Sequence, residues 1–149
     1  MFGVGLAVGM LACAGAAPAY AESKGCACTF ETGSAWGYDG GAFASKAAEP
    51  LSFEITDIDL EGQSALLATK GEKKEGALKI VRAINANHFL EVVNEGFLNL
   101  TTVYDADPET GKHPAVHSRH FGVVGEPVFG QYAGFCTAKY PLRRPHACG

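Results

Sequence analysis

The sequence predicts an all-β domain: a single small antiparallel meander of about 7–8 strands, barrel or sandwich, following a cleaved signal peptide. Three observations predict it. Apolar and polar residues alternate at a period of two, as in Leu51, Phe53 and Ile55. Turn-forming residues recur about every 8 to 12 positions. No run long enough for a helix carries the spacing of an amphipathic one. The 149 residues, of which 47% are hydrophobic, suit one domain. Twelve basic residues are scattered among 16 acidic ones for a net charge of −4. That balance argues against a disordered chain and against a nucleic-acid binder that relies on bulk charge.

Residues 1–21 read as the signal peptide. They carry no charged side chain; Phe2 to Ala17 is apolar or small, Pro18 breaks the run, and Ala19-Tyr20-Ala21 offers small residues where a signal peptidase reads. The basic residues that usually precede such a run are missing, which leaves the true start open. Leu11-Ala12-Cys13 faintly resembles a lipobox, so membrane attachment is expected only if Cys13 is lipidated. The expected compartment is periplasmic or secreted, and residues 22–149 are expected to form one disulfide-tied β domain.

Residues 22–50 read as loop and short strands, with Gly33, Gly37, Gly40 and Gly41 as turn sites. Leu51, Phe53 and Ile55 then alternate, and Ile58 and Leu60 continue one place out of phase. A strand changes its buried face only through an extra residue, so Thr56-Asp57 is expected to be a β-bulge. Gly62-Gln63 turns the chain into a strand at 64–69, and the charged stretch 70–76 is a loop. Leu78, Ile80, Arg82 and Ile84 share one face of the next strand. Further strands follow at 89–93, 97–104, 116–124 and 128–136, parted by turns at 85–87, 94–96, 105–114 and 125–127.

Cys26, Cys28, Cys136 and Cys148 stand at the two extremes of the domain, an even count that suits disulfides in an exported chain. Cys26 and Cys28 are too close to pair comfortably with each other. The preferred connectivity joins Cys28 to Cys136 and Cys26 to Cys148. A metal site from Cys26, Cys28, His146 and Cys148 is the weaker reading, because C-x-C is not the C-x2-C spacing of a zinc knuckle.

The densest polar run beside expected core residues is His117-Ser118-Arg119-His120. On a strand, His113 and His117 point one way and His120 the other, so the three cannot all share one metal. Arg119 shares the His117 face. If buried, it needs an anionic ligand or a carboxylate, for which Glu54, Glu91 and Asp105 are candidates. Ser118, His117 and Asp105 supply the residue types of a hydrolase but no G-x-S-x-G elbow, and no enzyme is expected. Asn99-Leu100-Thr101 spells a glycosylation sequon inside a strand, a poor acceptor. The strand–turn rhythm resembles lipocalin-like barrels in architecture alone, without their signature motifs.

The expected function is that of an exported, non-enzymatic β-domain binding a small apolar or amphipathic ligand. Its candidate ligand residues are His117, Arg119, His120, Tyr104 and Tyr132; no cofactor, metal or nucleic acid is expected. The alternatives are an envelope structural or protein-interaction module without a pocket, and a periplasmic metal binder using His113, His117 and His120.

Overall fold

A computed structural model of the chain describes residues 24–69, 76–93, 96–122, 125 and 127–139. The expected signal peptide, Cys13, Cys148 and most of the 70–76 loop lie outside these residues. Nine strands run in chain order: β1 (Cys26–Asp39), β2 (Ala42–Ala47), β3 (Leu51–Asp59), β4 (Ser64–Ala68), β5 (Gly76–Arg82), β6 (Ala86–Val93), β7 (Phe97–Tyr104), β8 (His113–Phe121) and β9 (Val128–Ala138). Every pairing is antiparallel. β3 to β9 follow one another as a meander, and β9 returns to β1, so β1 and β3–β9 close an eight-stranded barrel.

β2 is the extra strand, and β1 explains it. Cys26–Phe30 pairs with β3 on one side and β9 on the other; Ser34–Asp39 keeps β9 but exchanges β3 for β2. The second half of β1 thus leaves the barrel wall as an arm. Instead of the loop and short strands expected over 22–50, one 14-residue strand and a hairpin occupy the stretch. Gly33 and Gly37 lie within β1. Only Gly40 and Gly41 turn the chain, with φ of 58° and 87°, the two positive values a two-residue type I′ hairpin demands. The strand begins with a regular alternation, Cys26, Cys28 and Phe30 all buried, but the bulge between Thr29 and Thr32 breaks its phase, and Gly33 and Gly37 beyond it resemble turn sites.

The bulge at Thr56-Asp57 is present: the β3–β4 register slips between Thr56 and Asp59, and Asp57 adopts φ 50°. The slip lets Phe53, Ile55 and Ile58 all face the core. A second bulge interrupts β1 between Thr29 and Thr32. There the β1 backbone leans onto Gly134 of β9, where a Cβ would run into the Thr29 carbonyl oxygen and the Phe30 Cα. β5 ends at Arg82, and Ile84 is fully exposed at the turn rather than continuing the strand. β8 begins at His113, three residues earlier than expected.

Phe30, Phe53, Ile55, Ile58, Leu78, Ile80, Phe89 and Val103 fill the barrel, with Cys26, Cys28 and Cys136 against them. A disulfide joins Cys28 to Cys136 across the β1–β9 seam. Cys28 is therefore not a thiolate, which removes it from any zinc site. The bridge is consistent with an oxidising compartment.

Candidate functional site

Register fixes which side chains point inward. Phe89, Glu91 and Asn99, Thr101 and Val103 are in phase with the buried faces of β6 and β7. On β8 the inward set is His113, Ala115, His117, Arg119 and Phe121, opposite Cys136, Gly134, Tyr132, Gly130 and Val128 of β9. The apolar core occupies the middle of the barrel. Polar side chains gather toward the end where β4, β6 and β8 finish and β3 and β7 begin.

A cavity of about 300 Å³ opens at that end, lined by Leu51, Phe53, Leu67, Thr69, Glu91, Phe97, Asn99, His117 and Arg119. Its volume sits at the lower end of what small-molecule pockets offer. Glu91, Asn99 and Arg119 are directly opposite one another on β6, β7 and β8. Asn99 Nδ2 donates to Glu91 Oε2 at 2.9 Å. This fixes the carboxamide, since a carboxylate repels the other orientation, and it turns Oδ1 away from Glu91. That oxygen is buried and accepts no hydrogen bond from any described residue. A buried acceptor without a donor is costly and rare.

Arg119 lies one strand further on, its guanidinium carbon 5.2 Å from the centre of the Phe121 ring. No described carboxylate stands within 4.0 Å of it. Of the carboxylates expected to partner it, Glu54 pairs with Lys139 and Asp105 sits in the exposed loop after β7. Glu91 shares the cavity without touching Arg119.

His117 closes the cavity floor. Its ring packs among Phe30, Phe53 and Tyr132, at centroid distances of 5.6, 5.1 and 5.9 Å. Its Nδ1 shares a 2.9 Å hydrogen bond with Thr101 Oγ1. Burial, reinforced by the nearby Arg119 charge, pushes its pKa down to about 4, so the imidazole is neutral at physiological pH. The Tyr132 ring lies over Gly33, where a Cβ would collide with it.

Of the five residues picked from sequence, the structure brings His117 and Arg119 to the cavity, while Tyr132 packs on the His117 ring and borders a trough on the far side instead of the cavity. His120 faces outward and stacks on Phe129 at 6.5 Å. Tyr104 is exposed at the opposite end, where its carbonyl oxygen accepts from His113 Nδ1 at 2.8 Å. His113 and His117, both buried, are four residues apart on β8, roughly 13 Å along the strand, so the three histidines do not converge. The sequence offers Glu91 only as one of three candidate partners for Arg119 and Asn99 only as the start of a sequon, whereas both line the cavity. The signal for them was phase: each is polar at a position in step with a buried apolar neighbour, Glu91 with Phe89 and Asn99 with Val103.

A second feature lies outside the barrel. Trp36, Phe129 and His120 form a row across β1, β9 and β8, with Trp36 and Phe129 stacked at 5.9 Å and 6° between planes. Phe43 and Tyr38 of the arm extend this row. Beside it a shallow trough of about 470 Å³ is lined mainly by Thr32, Ser34, Trp36, Val116, Gln131 and Ala133.

Comparison of the chain with protein-family models, with curated proteins and with solved structures finds no match.

Proposed function

We propose that this domain is an exported, non-enzymatic binder of a small amphipathic molecule, held in the open end of the barrel. The observation that carries the reading is Arg119, a cation lining an apolar-walled cavity with no described carboxylate within 4.0 Å. A guanidinium so placed is complementary to a guest that brings an anionic or acceptor group along with an apolar body. Leu51, Phe53, Leu67 and Phe97 provide the apolar wall.

The test is a fluorescence titration with anilinonaphthalene sulfonate, an apolar anion, on the wild type and on a Leu67→Trp variant that fills the cavity. Saturable one-site binding by the wild type, abolished in the variant while its β-sheet circular dichroism is retained, supports the reading. Binding that is absent, or unchanged by the variant, ends it.

The outer aromatic row favours a second reading, a protein-interaction module of the envelope. Phe43 is 54% exposed and Tyr38 36%, and monomeric proteins rarely leave contiguous aromatic surface uncovered. Concentration-dependent self-association that vanishes in Phe43→Ser would support it; a monomer at all concentrations that carries no tightly bound partner on isolation would count against it.

A further inference from the structure

The cavity's charges are arranged in a way that specifies more than an amphipathic guest. Arg119 and Glu91 flank Asn99, with two strand spacings, roughly 10 Å, between their backbones. Gly76 makes room at one side: a Cβ there would come within 2.8 Å of Glu91 Oε1, so the carboxylate occupies space a side chain would otherwise fill. Glu91, His117 and Arg119 are the titratable residues of the described lining. With the imidazole neutral, the described lining holds one cation and one anion on either side of Asn99. A guest bearing only a negative charge would meet Arg119 but leave Glu91 without a counter-charge. A guest bearing only a positive charge would satisfy Glu91 but leave Arg119 with no described carboxylate.

We infer that the head group recognised here is an α-amino-acid zwitterion carrying an apolar side chain. Its carboxylate accepts hydrogen bonds from Arg119, a guanidinium suited to bidentate carboxylate recognition. Its ammonium, which has three donors and no acceptor, donates to Glu91. The side chain lies against Leu51, Phe53, Leu67 and Phe97. The two charged side chains of the described lining, Glu91 and Arg119, then each receive a complement. This inference rests on the cavity being a binding site, and it adds the chemical class of the guest.

Isothermal titration calorimetry on the oxidised protein at neutral pH tests it with three ligands of the same side chain: leucine, isocaproate, which lacks the ammonium, and isoamylamine, which lacks the carboxylate. Leucine is expected to bind at least about tenfold more tightly than either analogue, the scale of a lost charge-assisted hydrogen bond. In Glu91→Gln, leucine weakens by a similar factor while isocaproate does not; in Arg119→Gln, leucine weakens while isoamylamine does not. The wild-type comparison needs no variant and so stands even if one fails to fold. Isocaproate or isoamylamine binding as tightly as leucine overturns the inference, as does no binding of leucine. If leucine fails while anilinonaphthalene sulfonate still saturates the wild type and not Leu67→Trp, the cavity remains a binding site and only the zwitterion is wrong. If both fail, the binding reading falls with it.

Discussion

Cys28 on β1 and Cys136 on β9 stand directly opposite each other on the strand pair that closes the barrel, and their disulfide bridges it. The bond spans 108 residues of sequence, a loop whose closure the chain-entropy model values at about 4–5 kcal/mol, with strain and residual structure lowering it. Cys28→Ala/Cys136→Ala is therefore expected to lose roughly 2–4 kcal/mol. Urea unfolding under non-reducing conditions measures it, and an unchanged midpoint would show that β-pairing alone holds the seam.

His117 should make stability depend on pH. Its folded pKa, about 4, lies below the ordinary value of 6.5, so between these limits the unfolded chain binds a proton that the folded one refuses. Stability is then full above about pH 6.5 and falls as the pH drops toward about 4, by a total of about 3 kcal/mol. Denaturation at a series of pH values should show that slope, and His117→Gln should flatten it. The Nδ1 and Nε2 shifts of His117 should titrate well below those of an ordinary histidine.

The two bulge-free and bulged glycine positions of the seam should respond oppositely. Gly134→Ala sets a methyl group against the Thr29 carbonyl and the Phe30 Cα, both backbone, so something must move. A loss of roughly 3 kcal/mol or more is expected, in the range of severe steric substitutions. Gly37→Ala meets nothing within 4 Å and should be neutral or stabilising by up to about 1 kcal/mol. Thermal melting of the two variants side by side decides the matter; equal losses would mean the bulge is not where backbones meet.

Aromatic residues should divide by face. Phe89, 1% exposed inside the barrel, should cost about 3–5 kcal/mol when cut to alanine. Phe43, 54% exposed on the arm, should cost less than about 1 kcal/mol. A large loss for Phe43→Ala would mean that the arm is structurally coupled to the barrel.

Much of this fold is legible in the sequence wherever the interior is apolar. Phe53, Ile55 and Ile58 announce both a strand and its bulge, because a change of phase has no other economical explanation. The Cys28–Cys136 pairing follows from the same kind of reasoning about which ends must meet. Legibility fails where the physics stops being hydrophobic alternation. In β1 the alternation of Cys26, Cys28 and Phe30 is cut short by a bulge, and Gly33 and Gly37 beyond it have the look of turn residues although the ladder continues through them. β7 inverts the usual pattern, with Leu98 41% exposed while Thr101 is buried, so a reader who takes leucines as inward is misled about Asn99 and Tyr104 alike. His117 and Arg119 were visible as a polar pair on one face, but Glu91 and Asn99 become members of their site only once β6, β7 and β8 are aligned.

The closed meander has a consequence for how the molecule is made. From β3 to β9 each strand pairs with its immediate successor in the chain, and β1 reaches β3 across a single hairpin. Those contacts are local and quick to form, whereas the β9–β1 seam must bring together segments from the two ends of the domain. Zipping that seam is thus the natural final step of folding, and the two thiols face each other only once it has occurred. An oxidant would then encounter a nearly finished barrel and act as its latch: oxidation fixes a correctly folded product rather than guiding an open chain toward it.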